Sequence, residues 1–167
     1  MPALPVILCG KSTVIANSVI ATLKPEYEGA IHLLCCKLDL ADLSVVVIHV
    51  ILTSAQGVEQ IPSLLRGENP GELDNIGTKN YSRTAIAVIT GGGYDDTAVV
   101  EMREAAKGGS NVPWLRPELT KPRPPLGPGY GEALAERVKA ISVFIELTTQ
   151  YPLVRRVMQH QSTTFAT

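Results

Sequence analysis

The sequence is poor in cysteine. It holds three, Cys9, Cys35 and Cys36, among 167 residues. All three lie in or beside apolar runs, where a reduced, buried thiol behaves as a small hydrophobic side chain. This scarcity excludes the disulfide framework that stabilises many small secreted domains. We therefore expect a reduced, cytoplasmic chain whose core needs no covalent crosslink.

An excess of one charge and long apolar runs are also missing. The formal net charge is -1 and the isoelectric point is about 6.3, whereas nucleic-acid binding needs a basic surface. The apolar stretch from Pro5 to Cys9 is too short for a signal core or a membrane span, and no basic segment precedes it. We expect a soluble protein that binds neither nucleic acid nor membranes. The composition leaves homo-oligomer formation open.

Short apolar runs alternate with segments of helical spacing. The runs predict strands at 5–9, 30–35, 45–52, 85–90 and 112–115, and their continuous hydrophobicity is typical of parallel strands covered on both faces. The expected apolar positions of the first two helices are Val14, Ile15, Val19 and Leu23, then Val58, Ile61 and Leu65. The alternation predicts an α/β fold: a three-layer, doubly wound (Rossmann-like or flavodoxin-like), mostly parallel sheet with helices on both faces.

The same patterns predict the domain organisation. We expect one domain over residues 1–147, closed by a helix that carries Leu134, Val138, Ile141 and Ile145, and a poorly anchored tail over 148–167. Residues 67–84 lack apolar periodicity and should form a long surface loop, a kind of segment that is often functional. The segment from Arg116 to Gly131 holds five prolines and should run as an extended arm.

Several local motifs are distinctive, and most of the chain lies between or within them. They are Leu4 to Lys11, Ile61 to Glu68, Asn80 to Arg83, Gly91 to Asp96, Val112 to Pro117, Pro124 to Pro128, and Tyr130 with Gly131. Through these motifs the chain resembles a family of small fungal proteins of unknown activity with Rossmann-like, NAD(P)-binding-type folds. The resemblance implies a fold more firmly than it implies an activity.

Two segments depart from that family pattern. After Ala140, residues 142–167 replace a charged helical tail, and residues 37–56 form an insertion. Codons for Cys36 to Leu38 can contain the intron donor GTAAGT, those for Ile51 to Thr53 can contain the branch-point sequence CTGAC, and the codon for Gln56 can be CAG. A retained intron that keeps the reading frame has this form. A genuine buried strand over 45–52 is the alternative, and both interpretations stay open.

Gly10, Lys11 and Ser12 form the first candidate binding loop. They lie between a strand and a helix and resemble the end of a phosphate-binding P-loop. The preceding glycine-rich loop is missing, because Pro5 already begins the strand. The Gly-x-Gly-x-x-Gly fingerprint of dinucleotide binding is absent from this turn as well. The alternative is a capped helix with a solvated lysine.

Gly91, Gly92, Gly93 and Tyr94 form the second candidate loop. Three glycines between a buried strand and a helix permit close backbone approach, and the amino end of a helix favours anions. Asp95 and its acidic neighbour could instead satisfy the helix amides themselves, which would make this a tight capped turn. Tyr94 is expected at the rim, where it would stack on a ligand ring or cover the turn.

The final strand adds Trp114 and Arg116, which we expect at the same sheet edge as Lys11 and Tyr94. Arginine binds carboxylate and phosphate groups through two parallel hydrogen bonds, so the cluster suits an anionic or aromatic ligand. The alternative places Trp114 in the core and pairs the arginine with an acidic neighbour, namely Asp95, Asp96 or Glu118. His32 and His49 lie in apolar runs and are expected to be buried and hydrogen-bonded.

Two functions fit these features. The first is a protein of fungal metabolism, either an oxidoreductase-type enzyme or an accessory protein, that binds a small molecule. Its cofactor would be NAD(P) or another nucleotide at the switch point of the sheet, where open α/β sheets bind ligands. The second is a non-catalytic interaction protein that docks through the proline-rich arm 117–128. No metal-ligand spacing and no Ser-His-Asp order is present, and whether the chain catalyses a reaction stays open.

Overall fold

The computed structural model describes residues 3–23, 45–71, 74–116, 129–130, 133 and 135. In this part of the chain, four parallel strands form one sheet, and helices connect or flank them. The predicted α/β class is therefore confirmed. The predicted strand at 30–35, the arm 117–128, the rest of the closing helix and the tail 148–167 lie outside the described residues, as does the side chain of His32.

The described elements follow one another as strand, helix, strand, helix, strand, helix, strand. The strands are β1 Leu4–Cys9, β2 Val45–Ile51, β3 Ala87–Thr90 and β4 Trp114–Leu115, and the helices are α1 Thr13–Leu23, α2 Ser54–Leu65 and α3 Asp96–Ala105. In space the strand order is β2-β1-β3-β4. The described strands thus match four of the five predicted apolar runs. The predicted loop over 67–84 contains neither helix nor strand at its described positions.

β1 separates two hydrophobic clusters. Val6 and Leu8 belong to one cluster, while Ile7 and Cys9 belong to the other, because successive side chains of a strand point to opposite faces. All four side chains are buried, with exposed fractions of 4% or less. A strand buried on both faces needs an unbroken apolar run, which is the pattern that predicted it.

The helices divide between these clusters. α1 contributes Ala16, Val19 and Leu23 to the cluster that contains Val6. α2 contributes Ile61, Leu64 and Leu65, and α3 contributes Met102, to the cluster that contains Ile7. Gly57 permits this packing, because a Cβ atom there would lie 2.3 Å from the Met102 sulfur.

Two residues that the helical spacing placed on buried faces are exposed. Val14 is 76% exposed and Val58 is 39% exposed. Each lies in the first half of its helix, next to a position that does face the sheet. The spacing identified the helices correctly, but the width of the buried stripe depends on how closely each helix approaches its neighbours.

β2 contains a bulge. Val6 pairs with Val47 but Ile7 pairs with His49, so Ile48 is an extra residue in the ladder. A bulge of this kind re-aims the side chains that follow it. The imidazole of His49 is fully buried, and its nitrogens lie 2.8 Å from the Tyr81 hydroxyl and 2.9 Å from Oε1 of Gln60. The prediction of a buried, hydrogen-bonded His49 is confirmed.

The segment 75–79 lies along the outer edge of β2. The backbone amides of Thr78 and Lys79 donate to the carbonyls of Val47 and Ile48, each at 3.0 Å. The side chain of Asn75 pairs with the backbone of Val50 in both directions, accepting from its amide at 2.9 Å and donating to its carbonyl at 2.7 Å. The long loop therefore satisfies strand-edge groups that would otherwise need another partner.

Gly77→Ala should destabilise the chain. A Cβ atom at position 77 would lie 2.5 to 2.7 Å from backbone atoms of Ile48 and His49, which cannot move without disturbing the bulge. We expect a loss of about 1–3 kcal/mol in the free energy of unfolding, measured by urea denaturation. Gly10→Ala is the matched control, since a Cβ there meets nothing within 4 Å. Equal stability of the two variants would contradict this account of the loop.

Deleting residues 37–56 tests the retained-intron hypothesis, which stays a prediction. The segment contains all of β2, and β2 pairs with β1 along its length. We expect the shortened chain to aggregate or to lose several kcal/mol of stability, because the deletion exposes the apolar side chains packed against β2. Soluble yield and melting temperature of both versions are the measurements. A shortened chain that melts cooperatively at the same or a higher temperature would support the intron, and transcript sequencing across the codons for Cys36 and Gly57 provides an independent answer.

Candidate binding site at the carboxyl edge of the sheet

The loops that follow β1 and β3 lie side by side. β2, the next described strand in the chain, pairs with one edge of β1. β3 pairs with the opposite edge. Gly91 begins the second loop, and its amide donates to the Cys9 carbonyl at 2.7 Å. A Cβ atom at Gly91 would lie 3.1 Å from that oxygen, so the glycine allows the two strand ends to approach closely. The structure therefore brings the two predicted loops together.

The first loop presents a helix end and an exposed cation. The Gly10 amide donates to the Ile51 carbonyl at 2.8 Å, which anchors the loop to β2. The Ser12 hydroxyl accepts from the Ile15 amide at 3.4 Å, a long hydrogen bond that caps the start of α1. Lys11 is exposed, and the first turn of α1 carries no acidic residue. The partial positive charge of the helix end is therefore not neutralised locally.

Tyr94 is a buried residue and not a rim aromatic, so that expectation was wrong. It is 1% exposed, and its hydroxyl donates to the Ile51 carbonyl at 3.2 Å. The ring extends from the end of β3 to the end of β2, where a carbonyl satisfies its polar tip. The Lys11 ammonium lies 5.3 Å from the ring centroid, and Gly93 lies against the Lys11 side chain, with a Cβ position 3.6 Å from Cγ and Cδ. Lys11 is held beside the second loop by these contacts.

The second loop satisfies its own polar groups. The Tyr94 amide donates to the Gly91 carbonyl at 3.3 Å and closes the turn that contains Gly92 and Gly93. Asp95 accepts from the Ala98 amide at 2.8 Å, which confirms the predicted cap of α3. Two carboxylates at this helix end oppose the binding of an anion. The observed contacts therefore match the alternative interpretation, in which the glycine loop is a tight, capped turn.

Arg116 is already paired. Its guanidinium forms an ion pair with Asp96 and donates to the Tyr94 carbonyl at 2.6 Å. This is the predicted alternative in which the arginine binds an acidic neighbour. Its Nε atom is buried and has no hydrogen-bond partner among the described residues. Arg116 lies at the sheet edge as predicted, but most of its charge is neutralised there.

Trp114 lies on β4, the strand next to β3. It pairs with Val88, which precedes the last residue of β3, Thr90, by two positions. Its indole packs against the cluster formed with α2 and α3 and is partly exposed. This packing matches the predicted alternative, in which Trp114 packs against the core.

The described part of the site offers electrostatic binding and little acid-base chemistry. Burial raises the pKa of the Cys9 thiol to about 12, so the thiol is not a nucleophile at neutral pH. Burial, together with the nearby Cys9, raises the pKa of Tyr94 and keeps its hydroxyl protonated. No group of three or more metal-ligating side chains occurs among the described residues. Lys11 is the exposed cation that the two loops hold in place.

Alkaline pH should destabilise the chain through Cys9 and Tyr94. Both acids have raised pKa values in the folded chain, so each keeps its proton at a pH where the unfolded chain has released it. Their contribution to stability is complete below the pKa values of the unfolded chain and is lost as pH rises toward the folded values. We expect a steady free energy of unfolding up to pH ~9 and a decrease above it.

Denaturant unfolding in steps of pH measures this effect by difference. Cys9→Ala and Tyr94→Phe should each reduce the slope of the alkaline decrease, because each removes one acid that must ionise. Tyr94→Phe should also lower stability at neutral pH by about 1 kcal/mol through the lost hydrogen bond. A slope unchanged in both variants would show that other groups cause the alkaline loss.

None of the helices in the described part of the chain is long and apolar enough to span a bilayer.

Comparison with known proteins identifies one fungal relative. The sequence matches no known family profile, and no solved structure matches it. It is 33% identical over 140 residues to kojic acid related protein 6 of Aspergillus oryzae, an alignment that spans 81% of this chain and 74% of the relative. The chain therefore belongs to the fungal protein family of kojic acid related protein 6.

Proposed function

We propose that the chain binds a small anionic ligand of the nucleotide type at the loops after β1 and β3, within a three-layer, doubly wound fold. The observation that carries this proposal is the position of Lys11. It stands beside the acid-free amino end of α1, at the point where the strand order reverses. Open parallel sheets bind ligands at such reversals, outside the carboxyl ends of their strands.

The described strand order supports this location. The order β2-β1-β3-β4 contains the β1/β3 junction at which flavodoxin-like sheets bind their ligand. The division of helices between two hydrophobic clusters is the packing expected when helices cover both faces of a sheet. The fold part of the proposal depends on these two features and on the resemblance of the sequence motifs.

The two loops differ in the charge that they can accept. Lys11 and the α1 amides favour a phosphate or carboxylate group. Asp95 and Asp96 disfavour one at the end of α3, so a neutral part of the ligand would lie against the glycine turn. Tyr94 is buried and does not offer its ring for stacking. The ligand would therefore be held through its anionic group and by backbone contact with Gly91, Gly92 and Gly93.

The identity of the ligand is a matter for direct screening. The absence of a Gly-x-Gly-x-x-Gly fingerprint at Gly10 weakens the case for ordinary dinucleotide binding. NAD(P) and other nucleotides stay in the proposal as candidates, and the relative's printed name adds kojic acid to the compounds worth testing. The role that we propose is that of a ligand-binding enzyme or accessory protein of fungal metabolism.

A thermal-shift screen of the full chain tests the proposal. The compounds are NAD(H), NADP(H), FMN, nucleoside phosphates, inorganic phosphate and kojic acid. A ligand at about 100 times its Kd stabilises the folded state by about 2.7 kcal/mol, which raises the melting temperature by several degrees. If every compound leaves the melting temperature unchanged at ~1 mM, the proposed site has no affinity in the functional range.

Lys11→Met is the variant that locates the ligand. Methionine keeps an apolar stem beside Gly93 and the Tyr94 ring but removes the charge, so the fold should change little. We expect affinity for an anionic ligand to decrease about tenfold, the effect of losing one charged contact. Lys11→Arg keeps the positive charge and should retain most of the binding. A ligand that binds both variants equally well occupies a different site.

A further inference from the structure

A groove lies between the carboxyl-terminal half of α3 and β4. Its volume is about 530 Å³, within the range of small-molecule sites. Its main lining residues are Leu65, Val100, Arg103, Lys107, Val112 and Trp114. None of them belongs to the loops at the carboxyl edge, so this groove is separate from the site proposed above.

The groove has both polar and apolar walls, and some of its apolar side chains are partly open to solvent. Val100 is 55% exposed on α3, and Trp114 is partly exposed on β4. An indole with one accessible surface is a stacking partner for a flat ring.

The end of the groove is held in place by the turn after α3. Gly108 has a φ angle of +98°, a left-handed conformation that favours glycine. Gly109 lies against Leu65, where an added Cβ would be 3.3 Å from the leucine Cβ. The Ser110 hydroxyl donates to the Leu65 carbonyl at 3.0 Å and ties the turn to the end of α2. The shape of the groove therefore depends on packed and hydrogen-bonded groups.

The charges along the groove are unbalanced. Lys107 forms an ion pair with Glu104, with 2.5 Å between Nζ and Oε2. Arg103, one turn earlier on the same face of α3, makes no hydrogen bond or ion pair with any residue in the described part of the chain. A guanidinium in the same groove as a partly exposed indole and two valines attracts an anion on an apolar body.

We propose that this groove binds a small aromatic carboxylate. The ring stacks on Trp114 and contacts Val100, and the carboxylate binds Arg103 with two parallel hydrogen bonds. Glu104 weakens this binding in the unmodified chain, because it engages Lys107 and adds a negative charge to the rim. The ligand class follows from the partly exposed indole, the restricted volume and an arginine that has no partner within the described part of the chain.

The only tryptophan of the chain reports directly on the groove. The indole N–H signal of Trp114 in a proton–nitrogen correlation spectrum of the full-length, labelled protein is followed during titration. Probes are benzoate and 2-naphthoate, with benzamide and 2-naphthamide as neutral matches and octanoate as an aliphatic acid. We expect saturable shifts with the aromatic acids, and affinities about tenfold weaker for the amides and for octanoate.

Variants separate binding from structural damage. Arg103→Gln should lower the affinity for the aromatic acids about tenfold and leave the affinity for the amides unchanged. Glu104→Gln should raise the affinity for the acids about twofold to threefold. A gain in affinity cannot arise from misfolding. Arg83→Gln is the control for loss of a surface arginine, since Arg83 contacts the Ala3 carbonyl and does not line the groove.

Three results would overturn the proposal. The first is an indole signal that does not shift with any acid at ~1 mM, whether the groove is inaccessible or lacks affinity. The second is equal binding of acids and amides, or of octanoate and naphthoate. The third is an Arg103→Gln variant with unchanged affinity. A nucleotide that binds near Lys11 leaves these outcomes unaffected, because the two sites share no residue.

Discussion

Burial of β1 on both faces and along both edges is the constraint on which the rest of the fold depends. β2 and β3 pair with it on opposite sides, so its backbone groups are satisfied within the sheet. Its side chains enter two hydrophobic clusters in alternation. A polar side chain at Val6 or Ile7 would find neither water nor a partner. The same burial makes the thiol of Cys9 an inert packing group whose pKa is raised to about 12.

β2 depends on a loop that follows it in the chain by more than twenty residues. Its outer edge meets the segment 75–79, and its bulge turns His49 toward Gln60 and Tyr81. Gly77 lies so close to the bulged peptide that no other residue fits without a shift. Whatever the origin of residues 37–56, β2 and the segment 75–79 are joined by hydrogen bonds and close packing. A buried imidazole with partners from three segments specifies one register of the strand.

The two ends of α3 have different chemical characters. Its amino end is closed by Asp95, Asp96 and Arg116, which satisfy one another and the nearby backbone. Its carboxyl-terminal half presents Val100 and Arg103, which have no such partners in the described part of the chain. The amino end of α1 differs from that of α3, since Lys11 and an acid-free first turn leave its positive field available. Both sites that we propose therefore follow unsatisfied charge more than they follow glycine content.

Local chemistry was sufficient to predict much of this structure. Continuous apolar runs located β1, β2 and β3, because strands covered on both faces tolerate little else. The caps at Ser12 and Asp95 were predictable as well, since each hydrogen bond spans three residues. The expected position of Lys11 and Tyr94 at one edge followed from the rule that parallel strands place their carboxyl ends together.

Tertiary structure decided the features that depend on distant partners. Tyr94 is buried because its hydroxyl reaches the carbonyl of Ile51, 43 residues away in sequence. Val14 and Val58 are exposed because the approach of neighbouring elements, and not helical spacing, sets the width of a buried face. Arg103 gained significance only when the fold placed it in the same groove as Trp114. A sequence determines its own local hydrogen bonds and periodicity, whereas the partners of a side chain across the core are determined by packing of the whole chain.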